Sequence, residues 1–276
     1  MPEVTIGTKL RMNDGHTIPL FGYGTYQVPP GGSCRRAVAH ALELGYRHID
    51  TAALYGNEED VGRAVRESGL SRGEIFVTTK LWNSDQGYKS ALKAFDRSLN
   101  RLGLDYVDLY LIHWPEPGKR ADSWRALVAL NQHGRARSIG VSNYTIAHLE
   151  ELLRDSDVVP SNNQVEFNPF LYQRKLLEYC TAKGITLTAY CPLTHGDKLD
   201  HPAITAIGKR HGKTGAQVLL RWALQHGVIA IPKSARLERI AENAALYDFG
   251  LDADDMKKLD ALDEGYRTSW DPTRVR

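Results

Sequence analysis

The sequence predicts a (β/α)8 barrel, and three observations carry that expectation. Eight short apolar runs end in polar residues, at 22–26, 48–50, 75–80, 107–113, 136–142, 163–166, 186–190 and 228–233. Most are separated by about 30 residues, the size of one strand–helix unit. Segments of helical period lie between them. The runs VDLYLI at 107–112 and IAI at 229–231 are apolar almost throughout, as parallel strands covered on both faces require.

Taken in order, residues 8–12 and 17–20 flank Asn13-Asp14-Gly15. Asp-Gly accepts the positive φ of a tight turn, so a hairpin is expected there, lying as a plug or an edge outside the barrel. His48-Ile49-Asp50 reads as a strand and 51–55 as its loop. Asn57-Glu58-Glu59-Asp60 reads as the acidic start of a helix, which suits the helix dipole. Tyr88, Leu92, Phe95, Leu99 and Leu102 recur at three and four and define one helix face; Ile146, Leu149, Leu152 and Leu153 define another. Thr214 and Gln217 have capping-box spacing. The interval from Tyr190 to Val228 is too long for one helix and predicts a loop over 194–201 followed by two helical pieces. Asp252 starts a last helix through Met256, Leu259 and Leu262, and an irregular tail from Glu264 holds Trp270. No linker or composition shift divides the chain, so a single barrel domain over 1–276 is expected, with the N-terminal hairpin and extra helices near the C-terminus.

Composition sets outer bounds. The formal net charge is +2, which gives no argument for nucleic acid or an anionic membrane. No apolar run approaches the roughly 20 residues of a membrane span, and MPEVTIGTKL lacks the layout of a signal peptide. Cys34, Cys180 and Cys191 are odd in number and form no CxxC; they read as thiols in a reducing, cytoplasmic compartment. A monomer is expected.

A barrel builds its active site from the loops at the strand C-termini. The second run ends on Asp50 with Tyr55 in its loop, the third on Lys80, the fourth on His113 and the fifth on Ser142 and Asn143. The sixth carries Gln164, the seventh ends on Tyr190 and the eighth on Lys233 and Ser234. A free tyrosine, with a pKa of about 10, trades protons poorly near neutrality. A lysine beside it stabilises phenolate and lowers that value, and a carboxylate keeps the lysine charged and aimed. A nearby histidine can hydrogen-bond a substrate oxygen. Asp50, Tyr55, Lys80 and His113 together are equipment for protonating a carbonyl oxygen while its carbon is attacked. Singly, each has a plainer reading: a turn aspartate, a packing tyrosine, a surface lysine, a core histidine; for Lys80, its place after Thr78 and Thr79 at the end of an apolar run points to the rim instead.

The segments GYGTY at 22–26, GYRHIDTAALYGNEEDVG at 45–62 and KLWN at 80–83 resemble the aldo-keto reductase family. So do LGLDYVDLYLIHWP at 102–115, SIGVSNY at 138–144, NQVEFNP at 163–169 and IPKSARLERIAEN at 231–243. The likeness covers essentially the whole chain and is greatest to the bacterial branch that includes 2,5-diketo-D-gluconate reductases. It implies NADPH-dependent reduction of aldehydes and ketones, with Asp50, Tyr55, Lys80 and His113 as the proton-donor tetrad.

No GxGxxG follows a strand, so a Rossmann site is not expected. Ser142, Asn143 and Gln164 can hydrogen-bond a carboxamide, as the family does with nicotinamide, and Tyr190 can stack on the ring. Lys233, Ser234 and Arg239 suit a phosphate monoester; the resemblance puts the 2′-phosphate of NADPH there, Glu242 and Asn243 on the adenine, and Gly24, Thr25, Pro192 and Leu193 along the cofactor. Substrate is expected among Tyr26, Trp82, Trp114 and Trp270. Two departures from the family pattern stand out: Phe167-Asn168-Pro169 where Leu-His-Pro is common, and Cys191-Pro192-Leu193 where Ser-Pro-Leu is common. His195, Asp197, Asp200 and His201 lack metal-ligand spacing; they are expected to form a loop over the cofactor, with Asp197 in contact, and no metal is expected. Two rival readings remain: an aldolase-type barrel with Lys80 as Schiff base, and a cofactor-binding relative without catalysis.

Overall fold

The computed structural model describes residues 4–275. An antiparallel hairpin, β1 (Lys9–Arg11) and β2 (Thr17–Pro19), comes first, with Leu10 opposite Ile18. Asn13 Nδ2 donates to Pro160 O at 2.9 Å and Ser161 Oγ to Asp14 Oδ2 at 2.8 Å. Pro160 and Ser161 lead into a barrel strand, so the hairpin plugs the end away from the strand C-termini.

Eight parallel strands follow in chain order around one sheet. They are β3 (Tyr23–Gly24), β4 (His48–Asp50), β5 (Phe76–Leu81), β6 (Val107–Ile112), β7 (Ala136–Ser142), β8 (Asn162–Glu166), β9 (Thr186–Tyr190) and β10 (Ile229–Ala230). The first and last strands meet at a seam, where Gly22 N–H donates to Ala230 O at 2.9 Å and Gly24 N–H to Pro232 O at 3.1 Å. A Cβ on Gly24 would stand 2.7 Å from the Ile231 carbonyl oxygen, so only glycine lets the ends close here. The first and eighth runs are longer in the sequence than the strands they form. Pro232 has no N–H to extend the ladder of β10.

The helices are α1 (Gly32–Glu43), α2 (Glu58–Glu67), α3 (Tyr88–Leu102), α4 (Arg120–Gln132), α5 (Ile146–Asp155), α6 (Arg174–Ala182), α7 (Pro202–His211), α8 (Gly215–Gln225), α9 (Leu237–Ala244) and α10 (Ala253–Asp260). The long interval before β10 holds α7 and α8, as its length implied. Thr214 and Gln217 form the expected capping box at α8. Asn57 does not cap α2 with its side chain; it is buried and donates to Thr25 O at 2.9 Å and Val28 O at 3.2 Å. Glu58 is buried too, accepting from Thr79 Oγ1 and from Arg101 Nε, each at 2.6 Å. The acidic helix start therefore ties α2 to the barrel as well as meeting the dipole.

Asp252 caps α10, accepting from Asp255 N–H at 2.8 Å. Asp252→Ala is expected to cost about 1 kcal/mol, the usual worth of an N-cap, read as a lower urea midpoint with catalysis intact. An unchanged midpoint would show that the cap adds nothing to the packing of α10 and the contacts of Asp255 with His211 and of Asp260 with Trp222.

Candidate active site

The register sets the site. Gly24 lies beside Asp50, Ser142 beside Gln164 and Glu166 beside Tyr190, all at the C-terminal ends of parallel strands. These ends open into a cleft of about 990 Å³, within the range of small-molecule sites.

Lys80 is 0 % exposed. It lies inside β5, with Leu81 after it, so it sits beneath the cleft floor and not on the rim that the sequence suggested. Its Nζ donates to Asp50 Oδ1 at 2.5 Å, Thr51 O at 3.0 Å and Tyr55 Oη at 3.3 Å. An ammonium has three donors, and all three are used. Gln164 Nε2 donates to the other Asp50 oxygen at 2.8 Å. The His113 ring stands 5.7 Å from the Tyr55 ring and 5.2 Å from that of Trp82.

Burial dominates the electrostatics. It pushes the Asp50 carboxyl up and the Lys80 ammonium down, and their mutual contact opposes both shifts. Burial, with the Asp50 charge behind it, pushes the Tyr55 phenol well above its ordinary value. The sequence reading had Lys80 lowering it. Burial outweighs what Lys80, partly offset by Asp50 at contact distance, supplies in favour of phenolate. Burial and the Asp50 charge both favour the protonated phenol. Burial and the Lys80 charge hold the His113 imidazole well below its ordinary value, hence neutral. Its Nδ1 is buried without a partner. An unmet acceptor is more tolerable than an unmet N–H, which assigns the proton to Nε2.

Beyond the tetrad, Ser142 Oγ donates to Gln164 O at 2.7 Å, Asn143 Nδ2 to His113 O at 3.0 Å and Tyr190 Oη to Asn143 Oδ1 at 2.7 Å. Gly24, Ser142, Asn143, Gln164, Tyr190, Pro192 and Leu193 line one stretch of the cleft, and Lys233, Ser234, Arg239, Glu242 and Asn243 line its far arm. Ser234 is fixed from behind, its carbonyl accepting from Tyr23 Oη at 2.5 Å. Lys233, Arg236 and Arg239 are exposed and make no ion pair among the described residues. Cations crowded at a helix start oppose its dipole, so this arm fits a bound phosphate. The sequence reading passed over Arg236, although its spacing of three from Arg239 was visible.

Two expected cofactor residues lie elsewhere. Thr25 is fully buried, its hydroxyl donating to Asp50 O at 3.0 Å, and it braces the strand end. Asp197 accepts from Tyr266 Oη at 3.0 Å, while its neighbour Asp200 lines the cleft. His201 caps α7, and the described residues hold no cluster of three or more metal-ligating side chains. Cys191 lines the cleft with a φ of +46° and its Sγ is 3.2 Å from His195 Nε2. Burial pushes its thiol up to about 11.

Tyr26, Trp82, Trp114 and Trp270 gather at the mouth. The Tyr26 ring is 5.1 Å from that of Tyr55, and the Trp270 ring is 5.4 Å from Trp114 and 6.4 Å from Trp82. Arg267, Thr268 and Ser269 line the same region. The sequence reading missed them, because an aperiodic tail gives no sign of what it folds against.

The profile described as Aldo/keto reductase family matches residues 21–264. The chain is 50 % identical over 266 residues to the glyoxal reductase of Bacillus subtilis (strain 168), covering 96 % of each. It superposes on an aldo/keto reductase of Brucella melitensis with a TM-score of 0.91 at 47 % identity, over 94 % of this chain and 99 % of that one. An aldo-keto reductase of Bombyx mori, solved in complex with NADP, superposes with a TM-score of 0.89 at 37 % identity, over 96 % of this chain and 95 % of the other. The chain belongs to the aldo/keto reductase family.

Proposed function

We propose that this chain reduces aldehydes and ketones to alcohols with NADPH, with Tyr55 as proton donor. One observation carries the reading: a half-buried tyrosine whose hydroxyl lies 3.3 Å from a lysine that is itself held at 2.5 Å by an aspartate, at the floor of the cleft. NADPH, when bound, supplies hydride to the carbonyl carbon. Tyr55 gives its phenolic proton to the carbonyl oxygen. As that proton leaves, the Lys80 ammonium stabilises the negative charge growing on Tyr55 Oη. Asp50 and Gln164 keep Lys80 charged and aimed. Neutral His113 donates from Nε2 to the same carbonyl oxygen and orients it. Ser142, Asn143 and Gln164 would hold the carboxamide and Tyr190 the ring face, while Lys233, Ser234, Arg236 and Arg239 would hold the 2′-phosphate.

Small aldehydes and dicarbonyl compounds are the proposed substrate class. The likeness to a glyoxal reductase supports this. The motifs shared with 2,5-diketo-D-gluconate reductases make keto sugars the second class to test. The complete cleft within one chain supports a working monomer and a single functional domain. Three free thiols support a reducing, cytosolic setting. No helix among the described residues is long and apolar enough to cross a membrane. A Schiff base on Lys80 finds no support, since the amine is buried and fully engaged.

The test is NADPH absorbance with a panel of aldehydes, dicarbonyls and keto sugars, run across pH. Tyr55 is raised, so the rate should fall only as pH climbs past about 10. His113 is depressed and stays neutral, so no step should appear near about 6.5. Absence of turnover with every substrate would sink the proposed activity. A step near neutrality would mean that a group of the site titrates there, and its loss in a His113→Gln variant would assign it to His113.

A further inference from the structure

We propose that Glu166 is a positioning residue for substrate: its carboxylate holds the C-terminal segment so that Trp270 forms the outer wall of the carbonyl pocket. The proposal rests on the carbonyl-reductase reading above.

Glu166 ends β8 and is 1 % exposed. It makes no ion pair among the described residues. A buried carboxylate without a cation must be satisfied by hydrogen-bond donors. Glu166 Oε1 accepts from Thr268 N–H at 2.7 Å and Thr268 Oγ1 at 2.6 Å, and Oε2 accepts from Ser269 N–H at 3.2 Å. All three donors come from the tail, about a hundred residues further along the chain. Hydrogen bonds to a charged acceptor are worth more than neutral ones, so this contact fixes the tail firmly.

The Ser269 and Thr268 side chains also meet those of Tyr190 and Cys191; the remaining anchors lie further off. Tyr266 N–H donates to Phe170 O at 3.0 Å, and His148 Nε2 meets Val275 O at 3.0 Å. Between them the next residue after Ser269 is Trp270, which is 65 % exposed. A side chain so open is held weakly by packing alone, so its position depends on the hydrogen bonds behind it.

The strand links both halves of the pocket. Residues two apart on a strand face the same side, so Gln164 and Glu166 point alike. Gln164 reaches Asp50 at 2.8 Å and through it the Lys80–Tyr55 pair. Glu166 reaches Thr268 and Ser269, and through them Trp270. One strand therefore sets the distance between the proton donor and the far wall. If Trp270 is the far wall, a larger aromatic aldehyde with its carbonyl at Tyr55 is the substrate that should feel the loss of that wall, and a three-carbon aldehyde is not.

The test uses 4-nitrobenzaldehyde and methylglyoxal with NADPH. Glu166→Gln keeps the shape but turns an acceptor into an NH2 that faces backbone N–H groups, so at least one tail bond is lost. The expected result is a KM for 4-nitrobenzaldehyde raised by about tenfold, the worth of one such bond, with methylglyoxal KM and kcat within about twofold. Trypsin should also cleave faster after Arg267. Thr268→Val, which keeps Glu166 and loses only the hydroxyl donor, should shift KM the same way by less, and carries the test if the first variant does not fold. Equal losses for both aldehydes, or an unchanged KM for the aromatic one, would overturn the positioning role. A wild type that turns over neither aldehyde would overturn the reductase reading and this proposal with it.

Discussion

Tyr55→Phe is expected to lower kcat by about 10²–10⁴-fold, the usual contribution of a positioned general acid, while the Kd for NADPH stays as in the wild type. The substitution removes one oxygen. Lys80 Nζ then loses its contact at 3.3 Å but keeps Asp50 at 2.5 Å and Thr51 O at 3.0 Å, so the buried ion pair survives and the barrel should remain folded. The aromatic contacts with Tyr26 and His113 are those of the ring and are retained. Lys80→Met is a poorer probe. It leaves Asp50 buried without its cation, and breaking a buried pair costs about 3–5 kcal/mol, so lost activity would be confounded with lost fold. Stopped-flow kinetics with NADPH, together with fluorescence titration of the cofactor, read the Tyr55→Phe variant directly. Near-normal turnover in a folded protein would remove Tyr55 from the role of donor.

The architecture was readable from the sequence because a (β/α)8 barrel repeats one local pattern. Apolar runs such as 107–112 and helix stripes such as Tyr88 to Leu102 need only neighbours a few residues away. The tetrad was readable for a related reason: parallel strands bring every strand end to one face, so a list of strand ends is already a list of neighbours. What stayed hidden depends on depth and distance. Lys80 was taken for a rim residue because sequence gives the end of a run to within a residue or so, and one residue decides whether a side chain enters the barrel. The upward shift at Tyr55 follows from burial, which no motif records, and from the Asp50 charge behind it. Asp197 and Asp200 were indistinguishable in a loop without period; Tyr266, from the tail, claims the first and leaves the second on the cleft. Glu166 has no partner near it in sequence, and its three donors arrive about a hundred residues later.

NADPH is expected to bind at least about a hundredfold more tightly than NADH, and Arg239→Ala to abolish most of that difference. The two cofactors differ only in the 2′-phosphate, so a group that reads this phosphate discriminates between them without touching the chemistry. Lys233, Arg236 and Arg239 surround one arm of the cleft and make no ion pair among the described residues. They therefore give up no protein partner when a phosphate arrives. A hydrogen bond to a charged group contributes about 1.5–3 kcal/mol, or roughly 10- to 150-fold at about 1.4 kcal/mol per decade. The three cations share one small ligand, so their effects should not add, and Arg236→Ala is expected to cost less once Arg239 is gone. All three side chains are exposed, so salt should screen them, and raising ionic strength from about 0.1 to 1 M shortens the Debye length from roughly 10 to 3 Å. The preference should fall accordingly, while NADH affinity stays nearly level. Titrating both cofactors into wild type and Arg239→Ala by fluorescence, at low and high salt, measures each term. Equal wild-type affinities, or equal losses for both cofactors in the variant, would mean that this arm binds something other than the 2′-phosphate.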